Sequence, residues 1–441
     1  MNSGNKRLHQ LFFPIFFEIL CMMLAGMLDT LMLSSEGDQA VGAVGTANTY
    51  ISIFIIVFSV ISAGMVAVMT QYIGAGRPGV AHQALKLGLL INLIAGTAIS
   101  AVLFFFAEPI LLAVGISRQL RADAVTYLQV VGLFCLCNAL TPIVSSYLRA
   151  FGHTAPTLTA TMIANGVNLV LNAVFLFVFD WGVWGVALAT GISRVSHLLW
   201  LVLVARKRIK PQKEANMPAN RELLGKILRV GIPAAMETSL YHFALTIVIS
   251  LLNQMDDTGM QATARAYALQ LNNFCYCAAM ALAQANAIMA GWRIGAGDLV
   301  ACDKGTRKAA LLSIGTGVGV ACIFAIFADP LVSLFTDDPQ MISLVGSLLV
   351  VDIFLEIGRA SNLVFGMALK TSGDAVFPMV IAVVFAFLCA AGGTWLFGIQ
   401  LGWLAVGAYA AMALDECVRA VFMFLRWHSG RWKAQTLIAE K

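Results

Sequence analysis

The chain alternates between long apolar runs and short polar connections, and the runs are long enough to cross a membrane as helices. Twelve can be drawn: near 11–33, 47–72, 85–107, 124–148, 156–180 and 183–205, then 228–253, 265–290, 308–328, 343–369, 376–398 and 402–426. The first sets the scale. A 23-residue run at helical rise covers ~34 Å, against a hydrocarbon core of about 30 Å. It also carries two carboxylates. Glu18 and Asp29 stand eleven residues apart, three turns plus ~20° at about 100° per residue, so both share one face with Met22 and Ala25. Charge in lipid is costly, and intramembrane acids face a bundle interior or a wet cavity. The pair therefore either serves helix packing, satisfied by neighbours, or lines a pathway for ions or solutes.

The pattern repeats. Ile73-Gly74-Ala75-Gly76 returns as Ile294-Gly295-Ala296-Gly297, an offset of 221, and Phe106-Ala107-Glu108-Pro109 returns as Phe327-Ala328-Asp329-Pro330 at the same offset. Gly152 maps to Gly373, and Pro14 to Glu18 matches Pro233 to Glu237 at offset 219. Six spans per half means both halves enter the membrane the same way round, a parallel repeat about an axis along the membrane normal. Between the halves lies the most polar stretch, Arg206 to Arg229, punctuated by Pro211 and Pro218, which reads as a connecting loop with an amphipathic helix at its end. The expected division is a first lobe over 1–205, a cytoplasmic linker over 206–227, a second lobe over 228–426 and a tail over 427–441.

Polar residues inside the spans single out candidate chemistry. Thr157, Thr161, Asn165, Asn168 and Asn172 make a stripe on the fifth span, spaced by three or four residues, whereas the matching face of the eleventh, Phe387 to Gly393, is apolar. Asparagines at helical spacing serve either as interhelical glue or, near a lone carboxylate, as oxygens of a cation or proton site. Glu18 has a partner in Glu237, but Asp29 maps onto Val248, so Asp29 is not merely part of the repeat. In the second half, Glu237 and Tyr241 share a face, Gln270, Asn273 and Gln284 follow a stripe, and Asp352, Glu356 and Arg359 precede Asp415, Glu416 and Arg419. Glu356 with Arg359 and Glu416 with Arg419 are i,i+3 pairs able to neutralise each other, while Glu237 has no partner along its own helix.

Composition agrees with a polytopic helical membrane protein: 60% of the 441 residues are hydrophobic and 12% charged, with mean hydropathy +0.84. The net charge of +5 is no nucleic-acid signal, because the basic residues gather in a few loops. With both termini cytoplasmic, all but six of the 28 Lys and Arg fall on the inner side; only Arg118, Arg121 and Arg265 lie outside, and Arg194, Arg359 and Arg419 lie within spans. The first run is too long and too acidic near its end for a secretory signal. The nine cysteines show no zinc or redox spacing and read as small core residues. Phosphate-loop and H-E-x-x-H motifs are absent, which disfavours nucleotide hydrolysis and zinc proteolysis. No catalytic residue, metal site or cofactor is expected.

With these features in hand, the chain resembles the multidrug and toxic compound extrusion family, nearest its DNA-damage-inducible branch. The resemblance rests on Gly26-Met27-Leu28-Asp29-Thr30, the Ile-Gly-Ala-Gly loops, Asn168 to Asn172, Gly185 to Thr190, and Arg426-Trp427. It covers nearly the whole chain. It implies an all-α membrane protein of twelve transmembrane helices, in two parallel six-helix repeats forming a V-shaped two-lobe bundle around a central cavity. It further implies antiport of small molecules against H+ or Na+, by a chain functional as a monomer in the bacterial inner membrane, with the lipid bilayer and small-molecule substrates as partners and no nucleic acid. The family's ion-site residues carry over to Asp29, Asn168, position 172 and Thr190; here position 172 is Asn where the family has Asp, so Asp29 is the one carboxylate of the group. Other branches use acids of the seventh and tenth helices, where Glu237 and Glu356 stand. Candidate cavity residues are Glu18, Glu237, Tyr241, Gln270, Asn273 and Glu356. A lipid-linked oligosaccharide flippase of the same superfamily is the alternative, disfavoured because it calls for a basic cavity. An intramembrane enzyme is the alternative from another class.

Overall fold

The computed structural model describes residues 7–438 apart from 114, 211, 213, 215–216 and 257, so Pro211 of the linker lies outside the described residues. Each expected span is helical. In the first half these are α1 (Leu8–Leu33), α2 (Asp38–Gly74), α3 (Pro78–Phe105), the short α4 (Ala107–Ala113), α5 (Arg121–Leu133), α6 (Cys135–Ala150), α7 (Ala155–Phe177) and α8 (Gly182–Arg208). The second half holds α9 (Asn220–Asn253), α10 (Met260–Gly295), α11 (Leu299–Ile326), the short α12 (Ala328–Val332), α13 (Pro339–Ser372), α14 (Val376–Phe385) and α15 (Leu404–His428). Among the described residues, ten helices are long and apolar enough to cross a membrane, or eleven counting α5 and α6 as one span. The last, α15, carries Asp415, Glu416 and Arg419 in its middle.

Two spans differ from continuous α-helices. The fourth breaks at Phe134, where α5 and α6 meet at 45°, and Phe134 N–H bonds Val131 O instead of continuing the α register. The eleventh leaves the α register after Phe385 and runs as π-helix over Ala386–Ala391 and Thr394–Gln400. The backbone of α15 comes close there: a Cβ on Gly407 would lie 2.6 Å from Phe397 C.

The repeat is written into the helix ends. Gly76 and Gly297 close α2 and α10 at φ +75° and +78°, a conformation that glycine adopts without strain. The residue after each then reaches back, Arg77 N–H to Tyr72 O at 2.8 Å and Asp298 N–H to Arg293 O at 2.9 Å. Gly152 and Gly373 end α6 and α13 likewise, with His153 and Asp374 bonding Leu148 O and Leu369 O.

The chain divides into two compact units, Met1–Gly231 and Ile232–Lys441. The first has a core of Phe58, Leu103, Leu111, Leu128 and Val131, and the second one of Val248, Leu271, Val345, Leu348 and Tyr409. Large apolar side chains also cover the outside, such as Phe105 at 73% and Ile326 at 75% exposure, as a lipid-facing surface requires. The first unit extends past the linker because α2 and the start of α9 touch backbone to backbone. Gly64 faces Ile227 O and Gly231 faces Val60 O, each closer than any side chain could tolerate. Instead of a separate amphipathic helix, the linker's end is the first turns of α9. Glu214 ties the linker to the start of α3 by accepting Gly79 N–H at 2.6 Å, and Gln83 Nε2 donates to Pro218 O at 2.8 Å. The tail folds back as well: Trp432 is fully buried, stacked on Trp427 at 4.2 Å and 7°.

Candidate functional site

The stripe on α7 faces α1 along its length. Thr157 Oγ1 donates to Glu18 Oε2 at 2.7 Å, Asn165 Nδ2 to the Cys21 carbonyl at 3.0 Å, and Asn172 Nδ2 to Asp29 Oδ1 at 3.0 Å. Glu18 and Asp29 therefore do share the face that the 3.6-residue period assigns them. Met22 does not; it is exposed. The order 157, 165, 172 against 18, 21, 29 follows from α1 and α7 running in the same direction, as the first and fifth spans must.

At Asp29 the polar contacts concentrate. One end of the Asn168 amide lies 2.5 and 3.2 Å from the two Asp29 carboxylate oxygens. With its nitrogen there, Asn168 donates to an ionised Asp29. With its oxygen there, a protonated Asp29 donates to Asn168, and Asn172 Nδ2 bonds Asn168 Oδ1 at 3.2 Å. A half-turn of one amide thus accommodates both charge states. Asn168 and Asn172 are buried.

Thr190 is not joined to Asp29. Its hydroxyl donates to Val186 O at 2.9 Å, and it stands beside Tyr127, whose own hydroxyl donates to Asn48 Oδ1 at 3.4 Å. One turn beyond Thr190 on α8, Arg194 lies in electrostatic range of both Asp29 and Tyr127. Its Nη1 is buried with no hydrogen-bond partner. This arginine was visible in sequence as one of three within the spans, yet nothing in the spacing tied it to Asp29.

Glu18 and Glu237 occupy equivalent places, and both are paired. Glu18 accepts from Arg149 Nη2 at 2.8 Å, and Glu237 from Lys370 Nζ at 2.9 and 3.0 Å. Arg149 and Lys370 are themselves 221 residues apart, the offset of the repeat, so the same ion pair is built once per lobe. Glu237 lacks a partner on its own helix but finds one across the lobe.

The remaining second-lobe candidates separate. Glu356 is fully buried and bonded to Arg359 at 2.7 Å, and the Tyr241 hydroxyl donates to Glu416 Oε1 at 3.4 Å. Gln270 is exposed and Asn273 half-buried, and among the described residues neither hydrogen-bonds into this cluster. The neighbour Asn272 does enter it, bridging Asp352 and Arg359 at 2.5 and 2.6 Å. One residue along a helix is a 100° rotation, enough to exchange the inward and outward positions.

The matched relatives extend over the whole chain. The MatE family model matches residues 14–174 and 233–396, the two stretches related by the repeat. An uncharacterized transporter, YisQ of Bacillus subtilis (strain 168), is 33% identical over 432 residues, covering 96% of this chain and 94% of the relative. A probable multidrug resistance protein, NorM of Thermotoga maritima, is 24% identical over 454 residues, with 99% and 95% covered. Among solved structures, the outward-facing conformation of a multidrug resistance MATE family transporter of the MOP superfamily superposes with a TM-score of 0.88 at 18% identity, covering 98% of this chain and 96% of that one. A MATE crystal structure in a bent conformation gives a TM-score of 0.88 at 19% identity, with 97% and 95% covered.

Proposed function

Because the chain belongs to the MatE family of multidrug and toxic compound extrusion transporters, and is therefore a multi-pass membrane transporter and not an enzyme, we propose that it is a cation-coupled antiporter exporting amphipathic, often cationic, small molecules. It works as a monomer in the bacterial inner membrane, with both termini and the linker cytoplasmic. The names of its multidrug-resistance relatives and the positive-inside bias support this reading.

The observation that carries the coupling is the Asp29–Asn168–Asn172 group, a carboxylate inside a membrane helix held by two buried amides. Ionised, Asp29 accepts hydrogen from both amides. Protonated, it donates to Asn168, whose amide turns about. Coupling follows if the two charge states favour different arrangements of α1, since equal preference would shift no equilibrium. Proton entry from outside neutralises Asp29 and favours expulsion of substrate; release toward the cytoplasm restores the binding arrangement. Thr190 and Tyr127 stand as a second rank around Arg194, which supplies the nearby positive charge.

The test is substrate efflux from vesicles under an imposed pH gradient, and separately under a sodium gradient. Asp29→Asn is expected to abolish gradient-driven efflux while leaving expression and folding intact. Efflux by that variant at the wild-type rate would place the coupling elsewhere.

A further inference from the structure

The repeat places one acid at the end of each lobe that lies away from the linker, and the two are not compensated alike. Glu108 stands in the first turn of the short α4, and Asp329, 221 residues on, in the first turn of the short α12. Glu108 is bonded to Nη2 of Arg121, the residue that opens α5. The position 221 residues after Arg121 is Ile342, in the first turn of α13. The second lobe therefore repeats the acid without its arginine, and among the described residues Asp329 makes no ion pair.

Asp329 and Ile342 instead line an open cleft. It has a volume of about 800 Å³, within the range of small-molecule sites, and lies among the end of α11, α12 and the first three turns of α13. Small residues keep it open: Ala325, Ala328 and Gly346 line it, and a Cβ on Gly346 would already touch Ala328 Cβ at 3.6 Å. Since α9 leads away from the linker, α10 returns and α11 leads away again, the cleft is at the end opposite the linker.

Its polar side chains are acceptors. Ser333 Oγ gives its proton to Pro330 O and Ser347 Oγ to Ser343 O, each at 3.0 Å, so both hydroxyls have only lone pairs left to offer. The lining holds no Lys, Arg or His, and Asp337 and Asp338 precede α13 at the same end. An anion finds no donor side chain there beyond the Ser343 hydroxyl, whereas an ammonium group finds a carboxylate and hydroxyl oxygens. Around the polar floor the surface is apolar, with Ile326, Phe327, Leu334, Val350 and Phe354 all exposed. One acidic anchor inside an apolar collar fits a charged head joined to a hydrocarbon tail.

We propose that this cleft binds a lipophilic alkylammonium ion, whose N–H groups donate to Asp329 and the serine oxygens while its chain lies along the apolar collar. Phosphatidylethanolamine offers the same ammonium with a phosphate beside it, and the lining has no base to meet that phosphate. The site is separate from Asp29 and belongs wholly to the second lobe. Under the topology proposed above it opens at the outer leaflet, where an exported amphiphile arrives. That role rests on the antiport reading; the binding does not.

Photolabelling of the purified full-length protein tests the binding without any gradient. The probe is a dodecylammonium ion with a diazirine on its chain, added to protein in phosphatidylcholine nanodiscs, and labelled peptides are mapped by mass spectrometry. Labelling is expected within residues 325–350, displaced by unlabelled dodecylammonium but not by dodecanol. Asp329→Asn should reduce it about fivefold, as fits one partly solvated charge pair. Ile342→Arg, which rebuilds the first lobe's ion pair in the second, should reduce it at least as much, and Asp29→Asn should leave it at the wild-type level. The proposal is overturned if either cleft substitution leaves the labelling unchanged, or if dodecanol displaces the probe as well as dodecylammonium does. Displacement by phosphatidylethanolamine added to the nanodiscs also overturns it, because the cleft then belongs to a phospholipid headgroup. Loss of efflux in Asp29→Asn does not bear on this result, so the two readings fail separately.

Discussion

The ion pair repeated in the two lobes should not be worth the same in each. Glu18 has a side chain 4% exposed, pairs with Arg149 at 22%, and also accepts Thr157 at 2.7 Å. Glu237 and Lys370 are each 21% exposed and lie 2.9 Å apart. At 2.8 Å and an effective dielectric constant of about 20, the gross attraction is roughly 6 kcal/mol. Desolvation offsets much of that, but removing one member of a buried pair costs about 3–5 kcal/mol, because the other charge stays buried. Arg149 retains some water, so Glu18→Gln is expected at about 2–3 kcal/mol. The more solvated Glu237→Gln is expected at about 1 kcal/mol. Reversible unfolding in mixed micelles measures both, and a double-mutant cycle with Arg149→Gln and with Lys370→Gln isolates each coupling. A cost for Glu237→Gln equal to or above that for Glu18→Gln would refute the argument that burial decides the difference.

Other substitutions test other parts of the structure. Asn172→Asp places a second carboxylate against Asp29, whose Oδ1 is 3.0 Å from Asn172 Nδ2, and should make thermal stability in detergent rise with added sodium; no sodium response would mean that two carboxylates at these positions do not make a sodium site. Trp432→Ala removes a fully buried ring stacked on Trp427, with Nε1 donating to Trp427 O at 3.0 Å, and should cost about 3–5 kcal/mol by thermal unfolding. Gly358→Ala forces α13 from α15 where the Cβ would lie 2.5 Å from Cys417 N, and should cost about 1–3 kcal/mol, so an unchanged melting temperature would contradict the close crossing.

Much of this architecture is local chemistry and could be read from residues alone. Apolar runs of membrane length become helices because each backbone group must find its partner within its own segment in lipid. The repeat was legible in its glycine-closed helix ends, and with it the equivalence of Glu18 and Glu237. Arg149 and Lys370 obey the same offset and were in principle legible too. The face of α7 was legible since its polar stripe keeps one period, and that face is the one that meets Asp29.

What only the tertiary structure decided is who stands opposite. Glu18 and Arg149 are 131 residues apart, and Glu237 and Lys370 are 133. Helical periodicity states which residues share a face, but not which helix covers it. Lipid and protein interior are equally apolar, so hydrophobicity does not separate a core face from a lipid face. For that reason Asn273 could be read as inward where Asn272 is, and Thr190 as a partner of Asp29 although its hydroxyl bonds the Val186 carbonyl. The break at Phe134 and the π register after Phe385 lie in stretches without proline at the break, where packing against neighbouring helices sets the backbone. The meeting of two local ion pairs, Glu356 with Arg359 and Glu416 with Arg419, needed the crossing of α13 over α15 at Gly358, a contact between residues 59 positions apart.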